Sequence, residues 1–353
     1  MYMRLIDSKA QAALQGIATE QFPDYLQSIF ILTYLEPLDI EKKAAAVVRL
    51  GIVNRDSLQV QQQYEETPYP RYTRLAYLQE PVNYYTSSPH LRDADFNLDV
   101  LSQTPLEILV AGCGTGTQPL QIAKSYKNTK VTAVDISSKS LAFAERLKAA
   151  YDVDNVQFFQ ADILELAKIF HTSGQRFQIV ECVGVLHHLE NMDQGLAELK
   201  ELLVPGGVLH LGLYSELARS NITRIRELNA TIDMQPSNSN IRQFRRQLMT
   251  NILDQSFKSI FSLRDFYNTN CCRDLLFHSQ ESCLTIPQIQ SLLDKQGLQF
   301  LGFYFSSGEA VEQYRKMFPA DIKQRRLDYW HQFEQRYPDT FQSMYRFHCQ
   351  KPH

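Results

Sequence analysis

LEILVAGCGTGTQ, residues 106–118, decides the fold of this chain. An apolar run (Ile108, Leu109, Val110) ends in three glycines at alternate positions, Gly112, Gly114 and Gly116. A helix-like stretch, Pro119 to Lys127, follows at once. The pattern reads as a buried strand, a tight turn and a helix start. Glycine suits such a turn because it accepts positive φ and lets a ligand come close to the backbone. A second apolar run, Val131 to Val134, ends in Asp135. An acid at that strand end can accept hydrogen bonds from a ribose diol. The two features together point to a nucleoside-containing cofactor.

Outward from this core the pattern alternates. Strand candidates are 106–111, 130–134, 156–160, 177–182 and 207–213, separated by helical stretches 117–127, 138–151, 163–170 and 193–203. Short β-rich runs joined by helices imply an α/β fold, a Rossmann-like doubly wound, mostly parallel sheet with helices on both faces. Pro205-Gly206-Gly207 reads as a turn before the fifth strand. Two late runs, 298–305 and 343–350, flank a helical 309–337 and would complete a seven-stranded sheet as an antiparallel pair. Residues 216–285 then form a mainly helical insertion after the fifth strand. Residues 1 to about 60 read as helical, with apolar positions at helical spacing from Leu14 to Phe30 and again from Asp39 to Leu50, where Gly51 reads as a C-cap. A further short helix is expected within 91–103. The expected division is a helical N-terminal region with a Tyr/Pro segment, 1–90, followed by the sheet domain, 91–353.

The bulk properties exclude several classes. Net charge is −3, from 36 basic and 39 acidic residues, so nothing marks a polyanion partner. No apolar run approaches the roughly 20 residues that cross a bilayer, and Asp7, Lys9, Glu20 and Asp24 break up any secretory leader pattern. Six cysteines lie scattered without a CxxC pair. They read as reduced thiols of a cytoplasmic protein, with no metal site.

A dinucleotide fingerprint reads G-x-G-x-x-G. Here the third glycine falls one place early, and Thr117 stands where that pattern wants Gly. The stretch AGCGTG resembles instead motif I of class I S-adenosylmethionine-dependent methyltransferases. VDIS (134–137) resembles their second motif, FFQADIL (158–164) their third, and FQIVECV through HLGLY (177–214) their fourth and fifth strands. As an ordered set this likeness is specific, whereas a lone Gly-rich turn, or Asp162 before a helix, would have ordinary structural readings. The resemblance implies S-adenosyl-L-methionine as cofactor. Gly112, Gly114 and Gly116 would lie at its methionyl carboxylate, with backbone N–H groups and a helix N-terminus favouring the anion. Asp135 would take the ribose, Asp162 the adenine amine, and Ile136 and Ile163 the ring faces. The family often has an acid before the first turn glycine. Ala111 stands there, and Gln118 is a candidate replacement for the ammonium contact.

Two flanking segments, QYEETPYPRY (63–72) and CCRDLLFHSQE (271–281), resemble parts of a bacterial methyltransferase group, some members of which are fused to tetratricopeptide repeats. Tyr64, Tyr69, Arg71 and Tyr72 could form a lid, and Arg273, Asp274 and His278 could face the acceptor. Glu181, His187 and His188 follow or end the fourth strand and are the candidates for a base. The resulting expectation is a methyltransferase acting on a protein side chain or a small molecule, with no nucleic-acid or membrane partner. The rivals are a non-catalytic S-adenosylmethionine-binding module and, more distantly, an NAD-dependent oxidoreductase. The oligomeric state is left open.

Overall fold

The computed structural model describes residues 11–72, 74–84, 99–231, 234–250, 255–305 and 308–353. Seven strands form one sheet: β1 Leu106–Ala111, β2 Thr129–Asp135, β3 Val156–Gln160, β4 Phe177–Val183, β5 Leu203–Leu213, β6 Gln299–Phe303 and β7 Tyr345–Gln350. Their order is β3-β2-β1-β4-β5-β7-β6. β1 to β5 are parallel, and β7 runs antiparallel to both β5 and β6. This is the Rossmann-like doubly wound sheet expected from the alternation.

The sequence explains the layering. β1 is apolar on both faces, and Ile108, Leu109 and Val110 are fully buried. Such a strand needs helices above and below. One core cluster gathers Leu109, Val180, Leu209 and the aromatic set Trp330, Phe333 and Phe347. The opposite face gathers Ile108, Val110, Val131, Leu141 and Phe158. A third, separate cluster (Ile225, Ile241, Phe244, Phe266, Leu276) belongs to the segment between β5 and β6. That segment carries helices Ser220–Thr231, Asn238–Thr250 and Thr269–Phe277.

Several boundaries differ from the sequence reading. Pro205-Gly206-Gly207 is not a turn before β5 but lies inside it. Gly206 has φ 75°, and the β4–β5 register shifts between Phe177 and Ile179, so the glycines absorb a bulge. Gly51 is not a helix cap either. The helix Glu36–Ala46 ends earlier, because the chain at 48–50 pairs with the sheet edge. Gln160 N donates to Val48 O at 2.8 Å and Leu50 N to Gln160 O at 2.8 Å. Stretch 163–170 is a 3-10 turn, Ile163–Glu165, followed by helix Leu166–Ser173. Of the helix expected within 91–103, Asp99–Ser102 is helical and residues 91–98 lie outside the described ones.

The strand order reverses between β1 and β4, whose connections leave to opposite sides. A crevice forms at such a switch point, above the carboxyl ends of the strands. The N-terminal helix Leu58–Glu66 lies over this edge. Glu65 accepts from Ser138 N at 2.6 Å and from Lys139 N at 3.3 Å, at the start of helix Ser138–Ala150. A carboxylate suits the positive end of a helix. Ser137 Oγ donates to Tyr64 O at 3.1 Å, so helix Leu58–Glu66 is tied to the strand end.

Candidate active site

A cavity of about 510 Å³ opens at the carboxyl edge of β1, β2 and β4. Its floor is the glycine turn. Gly112 (φ 75°) lies so close to Val185 that a Cβ there would come within 2.4 Å of Val185 Cγ2, and a Cβ on Gly114 (φ 53°) would come within 2.8 Å of Tyr69 O. These glycines allow the fourth-strand loop and the Tyr69 segment to close on the turn. Gly116 has a different task. It does not line the cavity, and a Cβ there would meet Ala144 Cβ at 2.5 Å. It lets the helix after β1 pack on helix Ser138–Ala150.

The turn's amides are largely committed within the protein. Gly112 N and Cys113 N both donate to Val134 O at 2.9 Å, Gly114 N to Asp135 Oδ2 at 2.7 Å, and Gly116 N to Cys113 O at 3.0 Å. The glycine N–H groups expected at a carboxylate thus already have partners within the protein. The neighbouring N–H groups still open to an anion are those of the first helical turn, beginning at Thr117 and Gln118. Helix geometry leaves such N–H groups without intrahelical partners, and both residues line the cavity.

Asp135, at the end of β2, is buried and lines the cavity. Burial pushes its carboxyl up to about 6, against the N–H groups of Ser137 and Gly114 that stabilise the anion. Ile136, Asp162 and Ile163 line the same wall. Asp162 also has the structural duty its position allowed: Oδ1 accepts from Leu164 N at 3.0 Å as the cap of the 3-10 turn, and Oδ2 from Asn54 N at 2.9 Å. A carboxylate oxygen has a second lone pair, so capping and ligand contact are compatible.

Gln118 reaches into the cavity while its Nε2 donates to Glu181 Oε2 at 2.8 Å. Glu181 stands opposite Val110 on β4. It also accepts from Tyr84 Oη at 2.7 Å and contacts His210 Nδ1 at 2.6 Å. Burial works to raise its pKa, but His210, Tyr84 and Arg346 outweigh that and hold it below the ordinary range. Every oxygen of Glu181 is engaged, so it is not a free base. It is a buried negative charge behind Gln118, one strand away from Ala111.

The two histidines separate. His187 is 0 % exposed and outside the cavity wall, its ring stacked on Tyr214 at 3.8 Å, and neither ring nitrogen has a partner among the described residues. His188 lines the cavity. Its Nδ1 lies 2.8 Å from Gln280 O, so Nδ1 carries the proton and Nε2 is bare. Burial pulls its pKa down to about 4, so the ring is neutral and a weak base.

Among the flanking residues, Tyr64, Tyr69, Tyr72 and Asp274 line the cavity. Arg71 does not; its guanidinium lies over the Phe143 ring at 4.8 Å. Arg273 is also outside it and joins the two flanking segments, donating to Glu66 Oε2 and Thr67 Oγ1 at 2.7 Å each. His278 sits behind the wall, stacked on His188 at 3.8 Å. Its Nδ1 accepts from Gln280 N, so Nε2 carries the proton and donates to Tyr64 Oη at 3.1 Å; Tyr64 Oη in turn donates to Asp274 Oδ1 at 3.0 Å. Tyr214, missed in the sequence, also lines the cavity. The signal was there: it is the first residue after β5, at the carboxyl edge where ligands bind.

Fold and site together define a nucleoside-cofactor class of doubly wound protein. Residues 108–207 match the family of methyltransferase domains. Over those residues the chain carries a methyltransferase domain, on the class I sheet described above. It is 34 % identical over 204 residues to the uncharacterized protein syc1184_c of Synechococcus, covering 56 % of this chain and 48 % of that protein. It is 30 % identical over 171 residues to the uncharacterized protein RP028 of Rickettsia prowazekii, covering 47 % and 62 %. A malonyl-[acyl-carrier protein] O-methyltransferase of Halalkalibacterium halodurans is 31 % identical over 105 residues, covering 30 % and 38 %. The chain thus spans about half the length of the curated relatives it matches. The structure of PKMT2 from Rickettsia typhi in complex with AdoHcy superposes with a TM-score of 0.58 at 17 % identity, covering 80 % of this chain and 55 % of that one, and shows the same fold. No helix among the described residues is long and apolar enough to cross a membrane, and among the same residues no group of three or more His, Cys, Asp or Glu is arranged to hold a metal.

Proposed function

We propose that this protein transfers a methyl group from S-adenosyl-L-methionine to an acceptor held between the Tyr64–Tyr72 segment and the carboxyl ends of β4 and β5. One observation carries the reading: a buried Asp135 at the end of β2, fastened to the Gly114 amide and facing a cavity that Asp162 and Ile163 also line. Asp135 accepts from the ribose hydroxyls. Ile136 and Ile163 hold the adenine faces, and Asp162 accepts from its amine. The helix N-terminus at Thr117 and Gln118 receives the carboxylate. Gln118 Oε1 accepts from the ammonium, with Glu181 behind it supplying the charge that Ala111 lacks.

The cofactor supplies an electrophilic methyl on a good leaving group. The protein's part is alignment and exclusion of water. Tyr64, Tyr69 and Pro70 roof the cavity, and Arg273 fastens the roof helix to the segment after β5. Tyr72 lines the cavity yet is 58 % exposed, so the cavity reaches the surface there. This favours an acceptor that inserts one group and keeps its bulk outside, as a protein side chain does. A small metabolite is the second reading, supported by a cavity in the ordinary size range of small-molecule sites, roughly 300–1,000 Å³. Transfer of a labelled methyl group to cell extract, with products separated by size, tests both. Label in protein supports the first reading and label in small molecules the second. Cofactor binding with no labelled product in any fraction would leave a binding module instead of an enzyme.

A further inference from the structure

Asp274 is a buried acid without a directly paired cation among the described residues. It is 7 % exposed and forms no ion pair among the described residues. Its one side-chain partner there is the Tyr64 hydroxyl at 3.0 Å, yet it lines the cavity. Arg219, the cation whose charge acts on it, is bonded to Glu281 at 3.0 Å rather than to Asp274. Arg226 binds Glu281 at 3.3 Å and donates to His278 O at 2.9 Å. His188 and His278 are held neutral by burial. Buried carboxylates are ordinarily paired, so the missing partner is informative.

The groups beside Asp274 narrow what can fill the gap. Tyr214 is covered on its ring by His187 at 3.8 Å and has the Arg219 guanidinium 3.5 Å from its centroid. It therefore offers the cavity its hydroxyl rather than its π face. Tyr64 offers an oxygen oriented by His278 Nε2–H, and Tyr69 donates to Asp265 at 3.2 Å. This end of the cavity presents oxygen acceptors around a carboxylate. An alkylammonium has three N–H donors and one positive charge, and matches that set.

We propose that the methyl acceptor is a primary alkylamine, bound as its ammonium by Asp274 with the hydroxyl oxygens of Tyr214 and Tyr64. This assignment rests on the methyltransferase reading above. Asp274 takes one proton from the ammonium and becomes a carboxylic acid. The freed nitrogen lone pair forms the N–C bond to the methyl carbon; the C–S bond breaks, and its electron pair stays on sulfur as the neutral thioether. The product is a secondary ammonium, and Asp274 returns its proton to solvent as product leaves. Burial also raises the Asp274 carboxyl to about 7, which brings its proton affinity toward that of an amine whose own pKa is lowered by desolvation.

The test uses the full chain saturated with S-adenosylhomocysteine, with binding of small probes followed by saturation-transfer NMR. The probes are n-butylammonium, N-α-acetyl-lysine amide, n-butanol and butyrate. Both amines are expected to bind and the alcohol and carboxylate not to. Asp274→Asn should weaken the amines at least about tenfold, and Tyr214→Phe should weaken them by a smaller factor, with affinity for S-adenosylhomocysteine unchanged in both. Preference for the lysine derivative marks a protein side chain, and equal binding marks a free amine. Amine affinity unchanged in Asp274→Asn, or butanol binding as well as butylammonium, overturns the assignment. Loss of S-adenosylhomocysteine affinity in Asp274→Asn also overturns it, because Asp274 would then serve the cofactor's ammonium. If the wild-type protein fails to bind S-adenosylhomocysteine at all, the methyltransferase reading itself falls.

Discussion

Two carboxylates with raised pKa values, Asp135 at about 6 and Asp274 at about 7, face one cavity. Burial is the leading cause for both. For Asp274, the nearby charges of Glu281 and Asp265 add to it, while the Tyr64 hydroxyl and Arg219 work against it. The sign of the consequence follows from linkage. In the unfolded chain such a carboxyl loses its proton near 3.8, whereas in the folded chain Asp274 holds it to about 7. Between those limits the native state binds the extra proton, so this residue's contribution to stability declines as pH rises through the window. Asp274→Asn should therefore melt a few degrees higher than the wild type at about pH 8 and show no such gain at about pH 4. A melting difference that does not change with pH would contradict this account. The same comparison fits a site that gives up stability for a ligand-ready charge. At this scale the sequence singled out Asp135 and Asp162, which line the cavity, because each sits in a short pattern of strand end and turn. It did not disclose the Tyr64–Asp274 bond, which joins positions 210 residues apart, or the burial of His187, since neighbouring histidines on a 3-10 turn point to different places.

At the scale of elements, the glycines of the first turn carry distinct tasks, and one variant separates packing from ligand contact. Gly116→Ala places a methyl 2.5 Å from Ala144 Cβ at φ 87°. It should cost about 1–3 kcal/mol of stability by crowding, read as a lower urea midpoint, and a midpoint equal to wild type would refute the packing role. Arg273 links helix Leu58–Glu66 to helix Thr269–Phe277. Its partner Glu66 is 48 % exposed, so Arg273→Ala should change global stability by less than about 1 kcal/mol. Local fluctuation can still rise where the roof is held by few contacts. Hydrogen exchange at 58–66 should accelerate in that variant while exchange in β1 stays constant, and unchanged exchange at 58–66 would show that the link does not hold the roof. Element identities were legible because period and punctuation agree in β1 through β4. The end of the helix at Ala46 and the bulge at Gly206 were not, because pairing with β3 at one and with β4 at the other overrides local turn chemistry.

Across the whole molecule, the sheet supplies a rigid edge, and two segments far apart in sequence close over it. The N-terminal helix Leu58–Glu66 meets the segment after β5 through Tyr64, Glu66 and Thr67. In the reading proposed above, the cofactor half of the cavity belongs to the sheet and the acceptor half to these additions. The cofactor class was readable from an ordered set of local motifs, while the acceptor end depends on tertiary contacts that no spacing encodes. The central claim is that a sulfonium nucleoside lies along β1 and β2 with its sugar on Asp135. Calorimetric titration of the protein, and of Asp135→Ala, with S-adenosylhomocysteine and with NAD tests it most directly. The account predicts one S-adenosylhomocysteine per chain, no NAD, and a loss of about 1.5–3 kcal/mol in the variant, the scale of a hydrogen bond to a charged group. NAD binding without S-adenosylhomocysteine, or full affinity in a folded Asp135→Ala, would contradict it.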